Sequence, residues 1–280
     1  MLPEGLRRRL EALNRGPLRL RPQGPPDAPA PRRAVSLLEA LGGREVVRAE
    51  GTFHLLERPL AEILPDAEHI QATYRHVMVE GAADLDRAAT HPGLAACIAR
   101  RPEDLIFLDL ETCGFSGTPL FLVGLMTYTD ETLTVRQLLA RDYSEEAAVV
   151  AAAAEMLADR RALVTFNGRS FDWPHLCERA VLHHVPLSAP AEHVDLLHIA
   201  RRLWKRDLLN CRLQTLETFV CRRHRTADIP GEKVPDAYHE FVRSGDASRL
   251  RLIASHNVMD VVTMAELLVS MLIGRDAFDE

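Results

Sequence analysis

Leu105-Ile106-Phe107-Leu108-Asp109-Leu110-Glu111 is the stretch on which the reading of this chain turns. Its apolar run predicts a fully buried strand, and in a strand side chains two apart leave on the same side. Asp109 and Glu111 therefore project together from the strand end, with Leu110 turned the other way. Two such carboxylates are hard oxygen donors of the kind Mg²⁺ and Mn²⁺ take. The triplet alone is a weak signal, because Asp66-Ala67-Glu68 repeats it with no buried strand in front. Context separates the two copies.

Working outward, residues 120–128 and 132–139 read as two further strands with a turn at Asp130-Glu131. Ser144 is the expected N-cap of an alanine-rich helix reaching Arg160, with Glu145 and Glu146 complementing its dipole. A buried strand is expected over 162–166 and a helix after Asp172, with Pro174 tolerated in its first turn. A short strand over 194–197 precedes mainly helical sequence, ending in one long helix over 249–273. Three strands, helix, strand, helix, strand, then helices imply a five-stranded α/β sheet, antiparallel on one side and parallel on the other.

Two more segments carry chemistry. In Asn167-Gly168-Arg169-Ser170-Phe171-Asp172 the Asn-Gly pair supplies a tight turn that delivers Asp172 to a helix start, where helix capping is an equally natural role. Trp173 beside it is either a core residue or a platform for a base. His256 and Asp260 are four apart on the last helix, hence on one face. Val258, Met259, Val261 and Val262 surround Asp260 with apolar side chains, and a carboxylate so placed needs a reason, which a metal ion provides. The alternative is a surface histidine and a solvated aspartate. A histidine, with an unperturbed pKa of about 6.5, is suited to accepting a proton near neutral pH.

Together these segments resemble the D-x-E, N-x-x-x-F-D and H/Y-x-x-x-D motifs of the DEDD (DnaQ-like) 3′–5′ exonuclease superfamily. LIFLDLETCG, VTFNGRSFDWP, HVDLLHIARRLW, LQTLE, ADIPGEKVP and HNVMDVVTMAELL resemble one branch of it, the YprB-like ribonuclease-H-like domain proteins, over about residues 100–274. The resemblance implies a ribonuclease-H-like fold, a mixed five-stranded sheet flanked by helices with a small N-terminal extension. It also implies two divalent ions, Mg²⁺ or Mn²⁺, held by Asp109, Glu111, Asp172 and Asp260, with His256 as general base and phosphodiester hydrolysis as the reaction. His256 stands at the shorter spacing typical of the tyrosine subgroup, so taking a proton and orienting water both stay open. Asp195 is either a fifth acid or a structural hydrogen-bond acceptor. A ribonuclease-H-like endonuclease and a non-catalytic nucleic-acid-binding module are the alternatives.

Bulk properties fit an intracellular, cytoplasmic protein: there is no secretory signal, no expected membrane partner and no G-x-x-x-x-G-K-[ST] loop. DNA or RNA, at single-stranded ends, is the partner that the resemblance implies. Cys97, Cys113, Cys177, Cys211 and Cys221 form no C-x-x-C pair, which disfavours disulfides and a cysteine zinc site. Cys113 is expected to pack rather than react. Of the net charge of −6, residues 1–34 contribute +5, from eight arginines against Glu4, Glu11 and Asp27, leaving −11 elsewhere. Arg201, Arg202, Lys205, Arg206, Arg212, Arg222, Arg223 and Arg225 form a basic segment that is either a phosphate-backbone contact or a solvated face. Residues 1–34 read as a Pro/Arg-rich disordered segment and 35–99 as a small extension. The extension is expected to include a short helix near Ser36 and a hairpin over 45–58, and the resemblance implies a ribonuclease-H-like exonuclease domain over residues 100–274.

Overall fold

A computed structural model describes residues 34–225 and 228–273; the reading of 1–34 as disordered falls, but for its last residue, outside them. The seven strands are β1 (Arg44–Arg48), β2 (Gly51–Pro59), β3 (Leu105–Thr112), β4 (Leu120–Thr129), β5 (Thr132–Leu139), β6 (Ala162–Thr165) and β7 (Glu192–Asp195). They form one sheet in the order β1-β2-β5-β4-β3-β6-β7. Pairing is antiparallel from β1 through β3 and parallel from β3 through β7, as the element order implies.

The expectation of five strands is corrected to seven. The hairpin over 45–58 does form, but β2 continues the sheet by pairing with β5, with Leu55 opposite Leu138. The free edge of β5 offers unpaired backbone groups, and β2 satisfies them while burying Phe53 and Leu55 beside Ile106 and Leu108. Ser36 caps the short helix Leu37–Leu41, its hydroxyl accepting from the Glu39 amide. The cap of the alanine-rich helix is not Ser144. Asp142 accepts from the Ser144 amide at 2.8 Å and starts a 3-10 turn over Tyr143–Glu145, so the α-helix runs Glu146–Ala158. Asp and Ser both cap well, and only the entry angle of the chain chose between them.

Alternation along β3 divides the core. Ile106, Leu108 and Leu110 pack with helices Glu146–Ala158, Asp172–Leu182 and Val234–Ser244, and Leu105 and Phe107 with the C-terminal helix Leu250–Ile273. That helix has the length and apolarity to cross a membrane, but most of it is buried inside the fold, where Val258, Val261, Val262, Leu267 and Leu268 pack on the sheet. Asp109 and Glu111 continue the Leu105–Phe107 face and so point at this helix. Buried Glu146 accepts from Arg179 and from the Leu120 amide, locking the helix that starts at Asp172 to the sheet.

Register places Asp109, Gly124 and Gln137 side by side across β3, β4 and β5. The fully buried Asn257 lies over Gly124, donating to Asp109 Oδ2 at 2.8 Å and accepting from Gln137 at 2.8 Å. A Cβ on Gly124 would come within 2.1 Å of Asn257 Oδ1, so the missing side chain is what lets Asn257 reach the sheet. Gly124→Ala is expected to destabilise the fold by about 1–3 kcal/mol through overpacking. The check is a denaturant titration, with a lower midpoint at unchanged slope. A midpoint equal to wild type would mean that Asn257 moves aside freely.

Candidate active site

Three elements deliver the predicted carboxylates to one place. Asp109 and Glu111 come from the end of β3, Asp172 from the start of helix Asp172–Leu182, and Asp260 from helix Leu250–Ile273. The turn after β6 is built tightly. Asn167 has φ 64°, and Gly168 passes so close that a Cβ would meet Thr165 at 2.4 Å. Asp195 holds this turn by accepting from the amides of Asn167, Arg169 and Leu197 at 2.8–3.1 Å. Of the two roles open to Asp195, the structural one accounts for its hydrogen bonds. Asp172 is not the helix cap either; its Oδ1 accepts from the Leu110 amide at 3.2 Å, tying it to β3.

The electrostatics follow from enclosure. Asp109 and Glu111 keep some exposure, as groups at a cavity edge do, yet burial is the first cause of their shifts. Burial holds Asp109 well above the usual carboxylate range; Asp260, Glu111 and Asp172 push the same way, and the Asn257 hydrogen bond opposes them. Glu111 is raised by burial and then by Asp260, Asp172 and Asp228, and its Oε1 has no hydrogen-bond partner. Asp172 is pushed up to about 7, by burial first.

His256 lies beside this cluster. Its Nδ1 is 2.6 Å from Asp228 Oδ1 and its Nε2 is 3.5 Å from Asp260 Oδ2. A carboxylate only accepts, so Nδ1 carries the proton and Nε2 is turned to Asp260. Arg225 donates to Asp260 and, at 2.7 Å, to Glu217 Oε2. Among the described residues, no three His, Cys, Asp or Glu side chains already stand in a metal-coordinating arrangement.

The structure brings the four predicted carboxylates and His256 together. The sequence offers Asn257, Asp228 and Glu217 no role beside them and Arg225 only as part of the basic segment. Asn257 had a usable signal, a polar residue on the buried face of an apolar helix, three before Asp260. The basic segment divides. Arg201, Arg202, Lys205, Arg206 and Arg212 are exposed, whereas Arg223 is paired with Asp66 and Glu266 and Arg225 with Asp260 and Glu217. Asp66 of the second D-x-E triplet thus serves a surface ion pair. Trp173 packs against the core with its ring edge toward His193, a core role. Burial pushes the Cys113 thiol up to about 12, which keeps it protonated near neutral pH.

A match to the RNase_H superfamily covers residues 106–272. The chain belongs to that superfamily. It is also 34% identical over 174 residues to a Bacillus subtilis (strain 168) protein, "Uncharacterized protein YprB", across 60% of this chain and 42% of that one. The matched region is thus less than half the length of that relative. Among solved structures, the family B DNA polymerase from the hyperthermophilic archaeon Pyrobaculum calidifontis is similar with a TM-score of 0.48 and 19% identity. That match spans 58% of this chain and 24% of the polymerase. The superfamily match includes Asp109, Glu111, Asp172, His256 and Asp260, and excludes the hairpin of β1 and β2.

Raised carboxylates give the fold a definite pH dependence. A group that binds its proton more tightly when folded leaves the native state holding more protons between the ordinary carboxylate range and its raised pKa. Stability therefore falls as pH rises through that window, which for Asp172 ends at about 7. The metal-free protein is expected to lose Tm between about pH 5 and 7.5, and Asp172→Asn to flatten the decline. Mn²⁺ should raise Tm more at the upper pH, where the carboxylates are charged. A metal-free Tm that climbs across this interval would contradict the shifts.

Proposed function

We propose that this protein is a metal-dependent 3′–5′ exonuclease hydrolysing phosphodiester bonds at single-stranded DNA or RNA ends. The observation that carries this reading is a concentration of enclosed negative charge. Asp109, Glu111, Asp172 and Asp260 come from three separate segments, and each of the first three is raised in pKa by burial and by acidic neighbours. Uncompensated buried carboxylates cost several kcal/mol, so such a group persists where a cation completes it. The donor set fits Mg²⁺ or Mn²⁺: it is all oxygen, and Glu111 Oε1 is left without a partner. Asp109, Glu111, Asp172 and Asp260 would hold two such ions, which when bound supply positive charge to the phosphate oxygens during displacement. The 3′–5′ direction rests on the resemblance of the three motifs to DEDD exonucleases.

The chain's own residues divide the remaining work. Asn257 fixes one Asp109 oxygen, and the Leu110 amide fixes one of Asp172. Asp228 orients His256 through Nδ1 and so presents Nε2, on the Asp260 side, to take a proton from the attacking water. Arg201 and Arg212 line the same cavity, of about 520 Å³, as Asp109 and Asp260, where they can hold the backbone of the strand.

With Mn²⁺, a 5′-labelled single strand is expected to shorten stepwise from its 3′ end while a closed circular strand survives. EDTA and Asp109→Asn should each abolish cleavage. Circle cutting would reassign the protein to internal cleavage, and full activity in Asp109→Asn would move the chemistry elsewhere. Asn257→Ala, which frees the Asp109 carboxylate without removing it, should cost about 10–100-fold in cleavage rate or Mn²⁺ affinity. His256→Ala should slow cleavage and shift the pH–rate profile; an unaltered profile would strip His256 of its proton-transfer role.

A further inference from the structure

Asp260 differs from the other three carboxylates in already having a cation. The Arg225 guanidinium donates through Nη2 to Asp260 Oδ1 and through Nε to Glu217 Oε2 at 2.7 Å. Its Nη1 lies 3.7 Å from Asp228 Oδ2 and 3.3 Å from His256 Nδ1. The arginine side chain is 9% exposed and Glu217 2%, so this is an enclosed ion pair and not a surface contact. Asp260 lines the cavity that holds Asp109, while Arg225 lines a second one, of about 400 Å³, with Asp228 and His256. The Arg225–Asp260 pair thus stands between the two cavities.

We propose that Arg225 is an internal counter-ion that exchanges with a divalent cation at Asp260, moving onto Glu217 when the ion binds. This rests on the metal-site reading above. A divalent ion on Asp260 would stand beside the Arg225 guanidinium, and repulsion between the two cations in this enclosed place makes them compete for the carboxylate. The structure also provides the place to which the arginine goes. Glu217 Oε1 is buried with no hydrogen-bond partner, beside the Oε2 that Arg225 already holds. A guanidinium that swings off Asp260 can pair with both Glu217 oxygens, the forked geometry that Arg–carboxylate pairs favour. The arrangement keeps Asp260 compensated in the metal-free state, and it weakens the apparent affinity for the cation that must displace Arg225.

Titration calorimetry of the full chain with Mn²⁺, without nucleic acid, tests this. Arg225→Gln is expected to bind Mn²⁺ at least about tenfold more tightly than wild type. Glu217→Gln, which removes the place for the displaced arginine, is expected to bind several-fold more weakly. The double variant Arg225→Gln/Glu217→Gln leaves no buried charge unpaired at 217 and should bind as tightly as Arg225→Gln, so it serves if the single arginine variant fails to fold. Asp109→Asn should lose binding and fixes the site being measured. If wild type binds, Asp109→Asn does not, and the arginine variants bind no tighter than wild type, the exchange is overturned while the metal site stands. Equal affinity of Glu217→Gln and wild type overturns the receiving role of Glu217. Absence of Mn²⁺ binding in wild type and both arginine variants removes the exchange and the metal reading together.

Discussion

Negative charge held at the rim of an apolar core is the constraint to which the rest of this structure answers. β3 enters the sheet as Leu-Ile-Phe-Leu and leaves it as Asp-Leu-Glu, so the face that buries Leu105 and Phe107 also carries Asp109 and Glu111. The partner of that face, helix Leu250–Ile273, is apolar along most of its length and brings Asp260 and Asn257 to the same end. Desolvating carboxylates without compensation is among the most costly things a fold can do. Their neighbours are accordingly donors: the Asn257 amide on Asp109, the Leu110 backbone on Asp172, Arg225 on Asp260.

Each donor depends on a feature elsewhere. Asn257 reaches Asp109 because Gly124 has no side chain and Gln137 takes up its other end. Asp172 reaches Leu110 because Asp195 gathers the amides of the preceding turn and Arg179 clamps the helix through Glu146. Arg225 reaches Asp260 while anchored on Glu217. The residues that support the cluster are thus buried polar groups held by hydrogen bonds, while Glu111, Glu217 and Gln137 each keep one buried oxygen without a partner. Fold stability and site chemistry share the same side chains.

Much of the fold was legible along the chain because its cues are local. Residues 105–110 form a strand through apolar continuity, period two pairs Asp109 with Glu111, the Asn-Gly turn follows β6, and i,i+4 spacing joins His256 to Asp260. What failed were choices between near-equal local options. Asp142 and Ser144 are both good caps, and a hairpin over 45–58 is compatible with a separate unit or with a sheet edge. Arg225 and Arg212 look alike in a basic run, but one is enclosed among carboxylates and the other faces solvent.

From its residues alone, then, this protein declares its element order, its mixed sheet and the five side chains with chemistry to offer, because periodicity and turn chemistry act over a few positions. Tertiary structure alone decided that two more strands join the sheet and that Gly124 admits Asn257. It also decided that Asp195 is structural and that Arg225 neutralises Asp260. Those outcomes depend on contacts between positions such as 124 and 257 or 225 and 260, whose proximity is set by packing and leaves no mark on the neighbouring sequence.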